Sequence, residues 1–108
     1  MSIAKQVLKS ILLDFSYDYY KNQIIKIREN IEKNPYYRDN LDKVIELVIH
    51  RRLKKGEALS LIQNDANLLL YYNTDEEAYR WLDLMLINSL GKGDVIPYQD
   101  IGDDHVVD

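Results

Sequence analysis

The residues of this 108-residue chain with chemistry to offer are two histidines, five serines, nine tyrosines and a short run of cations. Metal ligation needs several imidazole, thiolate or carboxylate groups that converge. His50 and His105 stand far apart, the chain has no cysteine, and no HExxH or EF-hand spacing occurs. His105 beside Asp103 and Asp104 supplies at most an adventitious ion site. Nucleophilic catalysis needs a serine or carboxylate held beside a base. None of Ser2, Ser10, Ser16, Ser60 and Ser89 lies in a nucleophile-elbow motif, and Gly91-Lys92-Gly93-Asp94 lacks the Lys-Ser/Thr of a phosphate loop. The sequence therefore predicts no enzyme, no cofactor, no metal and no small-molecule substrate.

Two features remain. His50, Arg51, Arg52, Lys54 and Lys55 form a basic cluster, with Tyr36 and Tyr37 as nearby aromatics able to stack on bases. Against nucleic acid stands the acidic balance of the whole chain, with net charge −4 and pI near 5.1. The tyrosines come as Tyr17, Tyr19 and Tyr20, then Tyr36 and Tyr37, then Tyr71 and Tyr72, with Tyr79 and Tyr98 single. Neighbours on a helix point about 100° apart, so only one ring of each pair can face a core. The others belong at the surface, where tyrosine is favoured in protein contacts, or around a core's rim.

The elements that must position these groups read as an all-α, compact bundle of about five helices with an irregular acidic C-terminal tail. The length suits one domain. Ile3, Val7, Leu8, Ile11 and Leu12 give a first helix over Ser2 to Asp14. Tyr17, Tyr20, Ile24, Ile27 and Ile31 give a second from about Ser16 to Lys33, ended by Asn34-Pro35 and followed by a linker to Arg38. A third starts at an Asp39 or Asn40 cap, buries Leu41, Val44, Ile45, Val48 and Leu53, and runs through its basic last turns to Gly56.

The fourth and fifth helices make a hairpin from Gly56 to Gly91, joined at Asn73-Thr74. Leu59, Ile62, Ala66, Leu69 and Leu70 form one apolar stripe of the fourth, and Leu61, Leu68 and Tyr72 a second, which makes it central. Thr74 to Glu77 forms a capping box, and Ala78, Trp81, Leu82, Met85 and Leu86 face inward, with Trp81 in the core. Residues 1–91 thus make the bundle, and 92–108 an acidic tail that either packs back or stays apart. No signal peptide or membrane span is expected, and the cytoplasm is the default.

Charge is unevenly distributed. Residues 1–56 carry 12 Lys/Arg against 7 Asp/Glu, or +5, and residues 57–108 carry 2 against 11, or −9. Such a chain either meets a charged partner or neutralises its two halves within the fold.

The hairpin, with its KKGEALSLI opening and its Asp75-Glu76-Glu77-Ala78-Tyr79-Arg80-Trp81-Leu82 helix, resembles the helical immunity proteins of bacterial toxin systems. These are small cytoplasmic inhibitors paired with colicin-type or contact-dependent growth-inhibition toxins. The resemblance rests on size, helical character, acidic balance, lack of cysteine and surface tyrosine. It implies a stoichiometric inhibitor of a cognate toxin domain, a basic nuclease being the expected kind, with acidic groups steering the encounter. The residues expected to touch that partner are Asp65, Tyr72, Asp75 and Glu76 near the hairpin and Asp94, Tyr98, Asp100, Asp103 and Asp104 in the tail. The alternative is a small nucleic-acid-associated regulator using Arg51, Arg52, Lys54 and Lys55.

Overall fold

A computed structural model describes residues 2–98 of the chain. They form five α-helices and, among the described residues, no strand: α1 (Ile3–Phe15), α2 (Tyr20–Lys33), α3 (Pro35–Ile49), α4 (Glu57–Ser60) and α5 (Asp75–Leu90). A π-helical turn, Leu61–Asp65, continues α4. The Cα radius of gyration, 13.2 Å, is that of a compact chain of this length.

Helix α1 begins where Ser2 accepts from the Lys5 amide at 3.2 Å, and it buries Leu8, Ile11, Leu12 and Phe15. Helix α2 starts at Tyr20, one turn later than its apolar spacing suggests. Ser16 and Tyr17 close α1 by bonding back to Leu13 and Asp14, and the Asp18 carboxylate then accepts from the Tyr19 amide and the Asn22 side chain. Tyr17 consequently leaves the expected stripe and faces solvent.

The linker expected from Asn34 to Arg38 does not exist. Pro35 is the first residue of α3, and Asn34, extended at φ −137°, caps it by accepting from the Tyr36 amide at 3.0 Å. An extended residue satisfies the restriction before proline, and proline's missing N–H costs nothing at a helix start. The same Asn-Pro pair ends one helix and begins the next, so Asp39 and Asn40 lie inside α3 rather than at its cap.

The end of α3 is also displaced. It stops at Ile49, because Arg51 takes the left-handed conformation at φ +52°. The Arg52 amide donates to Leu47 at 2.9 Å and the Arg51 amide to Val48 at 3.1 Å. This pair of bonds is a Schellman closure, with arginine in the place where glycine is usual. Residues 50–56 are therefore a loop, and Gly56, at φ +83°, opens α4 instead of closing α3.

The expected fourth helix reaches only Asp65. The Ala66 amide bonds back five residues to Leu61 at 3.1 Å, and Asn67, left-handed at φ +55°, ends the run. Residues 66–74 form an irregular segment, so the helical hairpin joined by a tight turn is corrected to two helices joined by a long loop. Leu61, Ile62, Ala66 and Leu70 are buried as expected, but Leu69 is 90% exposed. Centrality belongs to α5, which buries Ala78, Trp81, Leu82 and Met85 along its length. Thr74 caps α5 through the Glu77 amide at 3.2 Å, and Gly91 ends it.

Candidate docking groove

Besides Ser89, which donates back to the Met85 carbonyl within the helix, α5 buries two polar side chains, Glu77 and Asn88, each 2% exposed. They lie about three helical turns apart and so project from the same face. Buried polar groups are costly unless bonded, and both are bonded to segments outside α5. Glu77 accepts from the Tyr72 amide at 2.7 Å and the Asn73 amide at 3.2 Å. It reaches one and two residues beyond Thr74, whose amide a capping box would engage. The Tyr98 hydroxyl also bonds to Glu77; burial, reinforced by this carboxylate, pushes its pKa up to about 12. Asn88 donates to the Tyr20 hydroxyl at 3.0 Å and to the Ile96 carbonyl at 2.9 Å, and accepts from the Ile96 amide at 2.8 Å.

These two pins hold three pieces of chain against α5 around a groove of about 420 Å³. Leu68, Leu69 and Leu70 form one wall, Val95, Pro97 and Tyr98 another, and Tyr19 and Lys21 the rim at the start of α2. Tyr20 and Trp81 line its base, where they meet Phe15 in a triad of tilted rings with centroids 5.3 to 5.7 Å apart. Burial pushes the Tyr20 pKa up to about 12, despite its bond from Asn88. Large side chains stand in solvent on this rim: Tyr19 is 80% exposed and Leu69 more so. Tyr71 and Tyr72, both exposed, pack edge to face at 4.8 Å. The one-in, one-out rule holds for Tyr19/Tyr20 and Tyr36/Tyr37, which are helical or at a helix start; at Tyr71/Tyr72 the chain is irregular and both rings face out.

The residues expected at a partner surface are scattered among different tasks. Tyr98 is half-buried in the groove wall, and Asp94 is exposed just before that wall. Tyr72 and Glu76 share a shallow recess with Arg80, which lies 3.7 Å from Glu76. Asp75 instead accepts from the Gly56 amide and from the Leu59 amide at 3.0 Å, capping α4 from across the fold. Asp65 lies 3.8 Å from Lys9, with one carboxylate oxygen buried. Asp100, Asp103 and Asp104 lie outside the described residues.

Folding joins the basic half to the acidic half at three ion pairs among the described residues. Lys5 pairs with Glu57 at 3.1 Å, Lys9 with Asp65, and Arg51 with Asp83 at 2.7 Å, each joining the basic half to the acidic half. Arg51 forms a two-pronged contact with Asp83 and lies 4.5 Å from the Tyr79 ring centre. Arg51 is thus engaged by Asp83 although its side chain is 45% exposed; Arg52, Lys54 and Lys55 are exposed as well. Among the described residues no group of three or more His, Asp or Glu converges as a metal site, and no helix is long and apolar enough to cross a membrane.

The groove residues that the sequence did not single out are Tyr19, Lys21, Leu68 to Leu70, Val95 and Pro97. A signal was present in Leu68-Leu69-Leu70-Tyr71-Tyr72, five large apolar or aromatic residues in succession, which no single-sided helix can bury. No protein-family model, curated protein or solved structure matches the chain.

Proposed function

We propose that this chain is an immunity-type inhibitor that binds a basic toxin domain, and that an apolar side chain of that domain enters the tyrosine-rimmed groove. The observation that carries the reading is the groove itself. An exposed leucine and tyrosines surround an apolar recess whose walls are held by buried hydrogen bonds, which is the composition and rigidity of a protein-contact centre. Of the acids expected at a partner surface, Glu76 and Asp94 are exposed, beside Tyr72 and the Val95 wall respectively, and complement a basic partner. The sequence likeness of KKGEALSLI and of Asp75 to Leu82 to helical immunity proteins supports the same reading.

The test is co-expression with basic toxin domains taken from neighbouring reading frames. The native protein should restore growth, and a Tyr19→Ala, Leu69→Asp double variant should bind at least about thirtyfold more weakly while unfolding at the native midpoint. Trp81 lies at the base of the groove, so its fluorescence should change on binding. Full rescue and unchanged affinity in the double variant would remove the groove from the contact surface.

The exposed loop cations favour a second reading, a nucleic-acid-associated regulator. It predicts a low-salt mobility shift that Arg52, Lys54 and Lys55 support and that Arg51, engaged by Asp83, does not. Absence of a shift ends it.

A further inference from the structure

The lining of the tyrosine-rimmed groove is apolar or aromatic except at Lys21, which is exposed and forms no ion pair among the described residues. A cation beside an apolar recess favours an occupant that carries an acid next to its apolar side chain. The chain holds that combination just beyond the groove wall. Residues 99–104, which lie outside the described residues, read Gln-Asp-Ile-Gly-Asp-Asp, so Asp100 directly precedes Ile101.

The point from which this segment departs is fixed against α5. Asn88 holds both the N–H and the C=O of Ile96, at 2.8 and 2.9 Å, and the Tyr98 hydroxyl bonds to Glu77. Ile101 is the first apolar residue after Tyr98. Three residues of chain reach at most roughly 10 Å, which is the breadth of a recess of about 420 Å³. A tether this short gives an effective concentration in the millimolar range. One apolar side chain and one exposed ion pair, too weak to hold two separate molecules together, can then be populated within a single chain. The exposed Leu69 and Tyr19 on the rim are the apolar surface that such a contact covers.

We propose that the chain fills its own groove: Ile101 packs between Tyr19 and the Leu68 to Leu70 wall, and Asp100 pairs with Lys21. This occupancy needs no partner and stands or falls apart from the inhibitor reading. A protein that enters the same groove displaces Ile101, so its apparent affinity is reduced to the fraction of grooves left open.

The test is NMR of the full chain with 13C-labelled isoleucine methyls. Through-space contacts are expected from the Ile101 methyls to the Tyr19 ring and the Leu69 methyls. Lys21→Glu, at an exposed position, should remove them, and Lys21→Arg should keep them. The blocked hexapeptide acetyl-Gln-Asp-Ile-Gly-Asp-Asp-amide, added at millimolar concentration, should bind the Ile101→Ser chain at least threefold more tightly than the native chain, whose groove is already filled. Equal affinity for the two chains would overturn the proposal. So would Ile101 contacts that are absent, that fall on the Arg52 to Lys55 loop, or that grow with protein concentration, as the segment of a second copy would give.

Discussion

At the scale of single residues, the described fold depends on a few buried polar atoms that the apolar pattern does not announce. Tyr20 and Tyr98 meet Asn88 and Glu77 respectively, and both are pushed up to about 12. An unfolded tyrosine ionises near 10. Stability from these two rings is therefore complete below about pH 10, and declines between about 10 and 12 as the unfolded chain ionises first. In a native-state absorbance titration they should be the late members of the nine tyrosines, with denaturant midpoints falling over the same interval. Asn88→Ala removes three hydrogen bonds and should destabilise by about 3 kcal/mol in urea titrations. It should also release the Ile96 amide to rapid hydrogen exchange. A variant with native stability would mean that the Val95 to Tyr98 wall is held by other contacts.

At the scale of elements, what was legible followed from local chemistry, and what was not followed from pairs of distant residues. Thr74 and Gly91 bound α5, and the inner stripe with Trp81 is where its spacing puts it. The Asn34-Pro35 step had two local meanings, stop and start, and the structure uses both. The end of α3 depends on Arg51 finding Asp83, 32 positions later, which sustains a left-handed arginine that no local rule favours. Helix α4 has no capping side chain of its own, and Asp75 supplies one from α5. Asp75→Ala should therefore cost about 1–2 kcal/mol and speed exchange at the Gly56 and Leu59 amides. As a partner contact alone, it would lower affinity without touching either. Asn67, at φ +55°, should accept glycine with little change, whereas Asn67→Ala should cost about 1 kcal/mol by the same unfolding assay.

At the scale of the whole molecule, the strongest sequence signal, +5 against −9, is bridged at three places by ion pairs between the two halves. Its ion pairs are partly exposed, so each contributes little and salt screens it. Raising salt from 0.05 to 0.5 M should change unfolding free energy by less than about 1 kcal/mol. A larger loss would mean that the charge halves hold the fold together. The candidate site was legible only in fragments. Tyr98 lines the groove and Asp94 adjoins it, whereas Tyr72 lines a separate recess; the groove itself is made where three segments are held against α5 by Glu77 and Asn88. Composition could indicate excess tyrosine; it could not show which rings share a recess.

The π-helical turn between α4 and the Leu68 to Leu70 wall has a consequence in terms of chain length. A π turn accommodates one residue more than an α turn between the same flanking geometries. Loss of one residue there, Asn64 for example, would return the turn to α bonding and leave the wall in place. Loss of one residue inside α5 would rotate everything beyond it by about 100°. Insertions and deletions among descendants of this chain should therefore collect at Leu61–Asp65, which makes this turn the place where the protein can change length and keep its groove.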